Sequence, residues 1–399
     1  MRECKDWIQT YMDWTVPRGE CKEHLIKWGG LLCLSAALRR KVSIPKTLMG
    51  SWTIYPYMYI IIVGPPGQAR KTTSASYASD IMHGIPGIKV AADELSKEVM
   101  MNGMAESIDG SICILCGELS DLVSVSGDKI YEFLTSIFDG KASHAYATLS
   151  RGKQVANKPC INMLAATVPN FIATMPPAVI EGGLASRIIF VYEDDVRQRK
   201  LFYDDGPSKI FMATKEPELR KKLRKDLGHI ANKIKGEFTI ESRETRDKIE
   251  QWYIDTADKF PIDDPRVVGY YQRKPAHVLK VTMLLQIAKS DELIITMDNF
   301  NQAKVIVEET EGKLLKVFKH VGANPNSTII EQIKDHILLR GRVPKKDILS
   351  KFYRHADPNK LEEFLDGLVR MDIITYTGDA VDMPSYAARQ SKKIIKAPI

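Results

Sequence analysis

The residues in this sequence best suited to hold phosphate form one short segment, Gly64-Pro-Pro-Gly67-Gln-Ala-Arg70-Lys71-Thr72-Thr73. It follows the apolar run Met58 to Val63 and opens a helical segment that continues through Ala75 and Tyr77 to Ile81. Strand, turn and helix in that order present backbone N–H groups and a helix N-terminus to an anion. Lys71 adds a mobile cation, and the Thr72 hydroxyl is placed to ligate Mg²⁺. Gly64, Gly67, Arg70 and Thr73 complete the candidate nucleotide-binding set. Arg70 stands where a glycine usually precedes the lysine, and Gly64 lies one residue further from Lys71 than the standard loop places it.

Phosphoryl transfer also calls for a carboxylate at the end of a neighbouring strand to orient water and metal. Glu118 supplies it, behind the apolar run Ile112 to Cys116. Gly117 occupies the place of an aspartate that would help hold Mg²⁺, with Asp121 a substitute, so Thr72 and Glu118 are the metal candidates. A third apolar run, Ile161 to Ala166, ends at Thr167 and Asn170, either of which can touch a γ-phosphate or the attacking water. Arg187, in Gly182-Gly-Leu-Ala-Ser-Arg187, immediately precedes a fourth run, Ile188 to Tyr192. In a ring of subunits such an arginine can reach the neighbour's γ-phosphate and stabilise transition-state charge. Nothing supports nuclease or primase chemistry: the eight histidines are dispersed, and Cys113 and Cys116 fall on opposite faces of one strand and read as structural thiols.

The elements that must position these groups change character along the chain. Residues 1–48 carry apolar residues at helical spacing, broken near Pro17 and Gly19, and read as a helical N-terminal region. Residues 49–205 hold the four short β-rich runs and form a parallel α/β core. Charged amphipathic segments at Glu216–Lys235, Glu241–Phe260, Ala276–Ala288 and Met297–Phe318 make residues 206–322 helical. Residues 323–385 predict helices at Thr328–Leu339, Lys345–Tyr353 and Asn359–Met371, then a β-wing over Ile373–Met383: the order of a winged helix. Its third helix carries Glu362, Glu363 and Asp366, which repel DNA phosphates, whereas Lys345, Lys346, Lys351 and Arg354 on the helix before it can contact a backbone. Residues 386–399 are a basic tail. A net charge of +7 suits phosphate or nucleic-acid partners without requiring them. No apolar run can cross a bilayer and the N-terminus has no signal-peptide layout, so a cytoplasmic location and no membrane partner are expected.

This succession, strand-loop-Lys-Thr, strand-Glu, strand-Ala-Ala-Thr and Leu-Ala-Ser-Arg-Ile, resembles the AAA+ ATPases over roughly residues 50–195, and more narrowly the replication ATPases of phages and plasmids and the minichromosome maintenance helicases. The resemblance implies ATP and Mg²⁺ as cofactors, a helical lid and a winged helix after the core. It assigns Lys71 and Thr72 to the Walker A motif, Glu118 to Walker B, Thr167 to sensor 1, Arg187 to the arginine finger and Arg273 to sensor 2. In the helicase branch a β-hairpin before the sensor strand projects into a central pore. Ala145 to Val155 reads as two strands turning at Arg151-Gly-Lys153, making Arg151 and Lys153 candidate contacts to single-stranded DNA. The expected function is a ring-forming, hexameric DNA translocase or helicase serving replication of a mobile genetic element, alongside replication partner proteins. The alternatives are a helicase loader or replication initiator, and a nucleotide-binding scaffold without turnover.

Overall fold

The computed structural model describes residues 2–91, 95–148, 152–181, 183–257, 259–262, 264–318, 326–378 and 384–388. The chain divides into two compact units, 1–321 and 322–399.

At the centre of the first unit is a four-stranded parallel sheet. The loop strand Tyr59–Val63 lies between the threonine strand Cys160–Thr167 and the edge strand Ile188–Tyr192, and the carboxylate strand Ser111–Cys116 pairs on the far side of the threonine strand. Beyond it a single parallel bridge joins Val90 to Cys113. All residues of these strands are buried. Burial on both faces explains why they read as continuous Ile, Val, Leu and Cys runs rather than alternating ones. Register is in phase: Val63 is opposite both Thr167 and Tyr192, and Cys116 is opposite Ala165. The carboxyl ends therefore form one edge, which carries Gly64, Gly117, Thr167 and Glu193. The amino ends form the other, with Arg187 level with Met58.

The N-terminal helices Trp7–Thr15 and Glu23–Leu38 share one hydrophobic core with the sheet and with the helices that follow it. Trp7, Tyr11, Trp14 and Trp28 are all buried there. Three consecutive cations tie this layer down. Arg39 donates to the Gly87 and Ala231 carbonyls and pairs with Asp109 at 2.8 Å, Arg40 donates to Gly140 and Lys141, and Lys41 donates to Ala231. The helix Pro265–Lys289 runs through Pro275, where the sequence pattern places a start at Ala276. Tyr270, Val278, Leu284 and Ile287 are buried along it, and this packing holds the helix across the proline.

The second unit has helices Ser327–Arg340, Lys345–Phe352 and Pro358–Arg370, and an antiparallel sheet in which Ser385–Ala388 lies between Arg342–Pro344 and Ile374–Thr377. The returning strand is thus Ser385–Ala388, beyond the expected Ile373–Met383 span; residues 379–383 lie outside the described residues. Leu361, Phe364, Leu365 and Leu368 form the buried face of the third helix. Among the described residues no helix is long and apolar enough to cross a membrane.

Candidate nucleotide site

Gly64 leaves the loop strand between two neighbours. Its N–H donates to the Thr167 carbonyl at 3.2 Å, and a Cβ added to it would lie 1.9 Å from the Glu193 carbonyl oxygen. Only glycine fits there. The loop ends at Arg70, which caps the helix Lys71–Met82 in the left-handed conformation, φ 53° and ψ 38°. That backbone favours glycine, so Arg70 keeps the geometry of the residue it replaces while adding a cation. Its Nε donates to Glu20 Oε2 at 2.8 Å, and Glu20 Oε1 accepts from the Lys200 N–H at 2.7 Å. An acidic residue of the N-terminal region thus holds the loop from outside.

Lys71 is buried, and its ammonium folds back onto the loop, donating to the Gly64 and Pro65 carbonyls at 2.7 and 3.0 Å. Burial draws its pKa below the ordinary lysine value, while the Glu118 carboxylate opposes that shift. A phosphate in the loop would supply a better acceptor than two carbonyls. Thr72 is exposed in the first helical turn, facing the end of the carboxylate strand: a Cβ on Gly117 would stand 3.9 Å from Thr72 Cγ2. Glu118 is exposed at the N-cap of the helix Leu119–Ser126 without a capping bond of its own. Thr72, Gly117 and Asp121 border a common cavity of about 1250 Å³. That cavity otherwise runs between the helix Lys71–Met82 and Arg220, Lys221 and Arg224 of the helix Glu216–Lys233, so only its near end belongs to the site.

Thr167 is fully buried at the end of its strand, and its hydroxyl has no hydrogen-bond partner. A buried polar group is costly to leave unpaired, so this orphan fits a ligand oxygen arriving at the carboxyl edge. Asn170 is exposed on the short helix Pro169–Thr174. Lys71, Thr72, Glu118 and Thr167 thus gather at one edge, and the donor set suits a nucleoside triphosphate: an ammonium and a helix N-terminus for phosphate, with the Thr72 hydroxyl and the carboxylates of Glu118 and Asp121 for a divalent cation. Among the described residues no group of three or more His, Cys, Asp or Glu could hold a metal ion.

Arg187 and Arg273 are elsewhere. Five strand residues separate Arg187 from the loop edge, roughly 17 Å of sheet at about 3.3 Å per residue. Arg187 makes a forked pair with Asp139, Nε to Oδ1 at 3.1 Å and Nη2 to Oδ2 at 2.5 Å, and Nη1 donates to the Gly183 carbonyl. Arg273 approaches the same carboxylate, Nη1 to Oδ1 at 3.8 Å. Both sequence-assigned arginines therefore gather on Asp139 at the amino edge, away from this chain's own loop.

The expected hairpin forms, Ser143–Thr148 against Gly152–Asn157, with Lys153 opposite Ala147. Its tip, including Arg151, lies outside the described residues. In the second unit Lys345 is paired with Glu362 at 2.9 Å, Lys351 contacts His336 Nδ1 at 3.0 Å, and Arg354 donates to the Tyr353 hydroxyl.

Sequence reasoning missed Glu20, Asp139 and Glu193. Glu193 is buried beside Gly64, accepts from the Asp194 and Asp195 N–H groups and pairs with Lys313 at 2.8 Å. Its one signal was the acidic run Glu193-Asp194-Asp195 directly after a strand; Glu20 and Asp139 had none. All six cysteines are buried and free. No protein-family model matches this chain, and no curated protein matches it.

Proposed function

We propose that this chain is an ATP hydrolase of the AAA+ type that works as a ring, hexameric in the simplest case, to move along or unwind DNA during replication of a mobile genetic element. The observation that carries the reading is the strand order. The carboxylate strand is separated from the loop strand by the threonine strand, so Lys71, Thr72, Glu118 and Thr167 converge at one edge while Arg187 and Arg273 collect at the other. ATP with Mg²⁺ binds at the carboxyl edge: Lys71 and the helix N-terminus hold the phosphates, Thr72 with Glu118 or Asp121 holds the cation, and Glu118 and Thr167 orient the attacking water. Neither Arg187 nor Arg273 of the same chain reaches this site, since both are gathered on Asp139. In a head-to-tail ring the amino edge of one subunit faces the carboxyl edge of the next, and such an arrangement closes on itself.

The hairpin Ser143–Asn157 lies in the chain between the carboxylate and threonine strands. It is the element proposed to hold single-stranded DNA in a central pore, through Arg151 and Lys153. The second unit is read as a winged helix. Its acidic third helix and the Lys345–Glu362 pair favour a supporting or protein-contacting role over groove reading. Gly117 in place of a metal-binding carboxylate favours a second reading, a nucleotide-binding scaffold without turnover.

Steady-state ATP hydrolysis with and without single-stranded DNA, with native mass, tests the reading. Turnover stimulated by DNA, together with ring mass, supports it; nucleotide binding without hydrolysis leaves only the second.

A further inference from the structure

The two arginines at the amino edge are not equivalent. Arg187 has spent its donors on both Asp139 oxygens and on the Gly183 carbonyl, and only 9% of its side chain is exposed. A Cβ on Gly183 would lie 2.5 Å from Arg187 Nη1, so the fit depends on that glycine. Extending Arg187 toward another molecule would break three hydrogen bonds and vacate a packed slot. Arg273 differs: a third of its side chain is exposed (33%), and its approach to Asp139 is a long 3.8 Å. Burial and then the charge of Arg187 lower its pKa, so the two guanidiniums repel across the carboxylate.

Asp139 directly follows the helix Lys129–Phe138. A carboxylate there meets the negative end of the helix dipole, so helix stability does not explain its position, and its side chain remains 49% exposed. Beneath it Lys280 is buried, donating to the Tyr57 carbonyl at 2.7 Å with its ammonium 4.0 Å from the Phe138 ring centre. Arg187 and Arg273 thus share one carboxylate, and their surplus positive charge can meet a second anion.

We propose that Arg273, rather than Arg187, is the cation delivered to the triphosphate of a neighbouring copy, and that Asp139, anchored by Arg187, is the residue that positions it. This inference rests on the shared-site reading above. Arg187 and Asp139 form a rigid fork; Arg273 leans on it loosely and exchanges that long contact for a short charge-assisted one on an incoming phosphate. No bond is made or broken by these three residues.

Mixed subunits test this. Arg273→Ala, Asp139→Asn, Asp139→Glu and Arg187→Ala are each assayed alone and mixed in equal amounts with Lys71→Ala, with melting temperatures alongside. Arg273→Ala alone should lower kcat by about 10³-fold, and Asp139→Asn by roughly 10- to 100-fold through misplacement, while both bind nucleotide in their own loops as the wild type does. Each should regain turnover on mixing with Lys71→Ala, because the intact loop of one chain then meets the intact Arg273 of the other; a merely structural residue gives no such rescue. Asp139→Glu, which keeps the charge, should retain more turnover than Asp139→Asn. Wild-type turnover in either Arg273→Ala or Asp139→Asn, or a failure of Arg273→Ala to recover where Arg187→Ala does, overturns the proposal and leaves the shared site standing. If no mixture recovers, Arg187→Ala included, the shared-site reading itself fails.

Discussion

The two edges of one parallel sheet solve opposite problems. At the carboxyl edge polar groups are left wanting: Thr167 has a buried hydroxyl with no partner, Lys71 settles for two carbonyls, and Thr72 and Glu118 face solvent. At the amino edge the cations are already engaged, Arg187 with Asp139 and Gly183, and Lys280 with Tyr57. Unmet hydrogen-bonding capacity in a folded chain points to a ligand, because burying polar groups without partners costs about 1–3 kcal/mol each. A satisfied ion pair points first to structure. The contrast separates residues with unmet capacity for a ligand from residues that hold the fold, and it marks Arg273 as the group at the amino edge that belongs to neither class.

The sharpest break in this contrast comes at the loop. Lys71→Ala should lower ATP hydrolysis by about 100-fold or more with little change in melting temperature, since the hydrogen bonds of the Lys71 ammonium go to loop carbonyls. Gly64→Ala should abolish nucleotide binding, because its Cβ meets the Glu193 carbonyl; wild-type binding by that variant would show that the loop is shaped differently.

At the amino edge the loss of Arg187 should appear in stability. Arg187→Ala should cost about 1–3 kcal/mol, read in a denaturant melt, with nucleotide affinity in its own loop unaltered; a selective loss of affinity there would erase the distinction between the edges.

His277, buried on the same side and donating from Nε2 to the Ser186 carbonyl at 3.1 Å, has its pKa lowered to about 3 by burial, with Lys280 adding to the shift. Its unfolded value is near 6.5, so below that pH the unfolded chain binds a proton that the folded chain refuses. Stability is therefore fully present above about pH 6.5 and is lost as pH falls toward 3. Between pH 6.5 and 5 the loss should reach roughly 2 kcal/mol, and His277→Gln should flatten it; an unchanged pH slope in that variant would contradict the assignment.

The smallest expected change is a gain. Gly117→Asp has room beside Thr72 and should tighten Mg²⁺-dependent nucleotide binding by about tenfold, or 1.4 kcal/mol.

What the sequence could show follows from how local each feature is. The edge strand was legible residue for residue at Ile188–Tyr192, and the other three to within about two residues, because buried parallel strands are uninterrupted apolar runs. The helix Glu216–Lys233 was legible from its charged amphipathic pattern. The two-residue parallel pairings of Val42–Ser43 with Gly236–Glu237 and of Thr239–Ile240 with Ile294–Ile295 were not, since so few residues carry no period. Pro275 misled by its local preference, which packing overrode. Within the site, Lys71 and Thr72 were readable from spacing, whereas Glu20 and Asp139 act across 50 and 48 residues of chain and have no local signature. Arg70 looked like a defect in the glycine pattern; only its backbone angles show the left-handed turn preserved.

The central claim is that nucleotide binds at the carboxyl edge. A titration of wild type and Lys71→Ala with a fluorescent ATP analogue, in the presence and absence of Mg²⁺, tests it most directly. Saturable, Mg²⁺-strengthened binding by the wild type that is lost in Lys71→Ala is the predicted result. Equal binding by the two proteins, or none by the wild type, would contradict it.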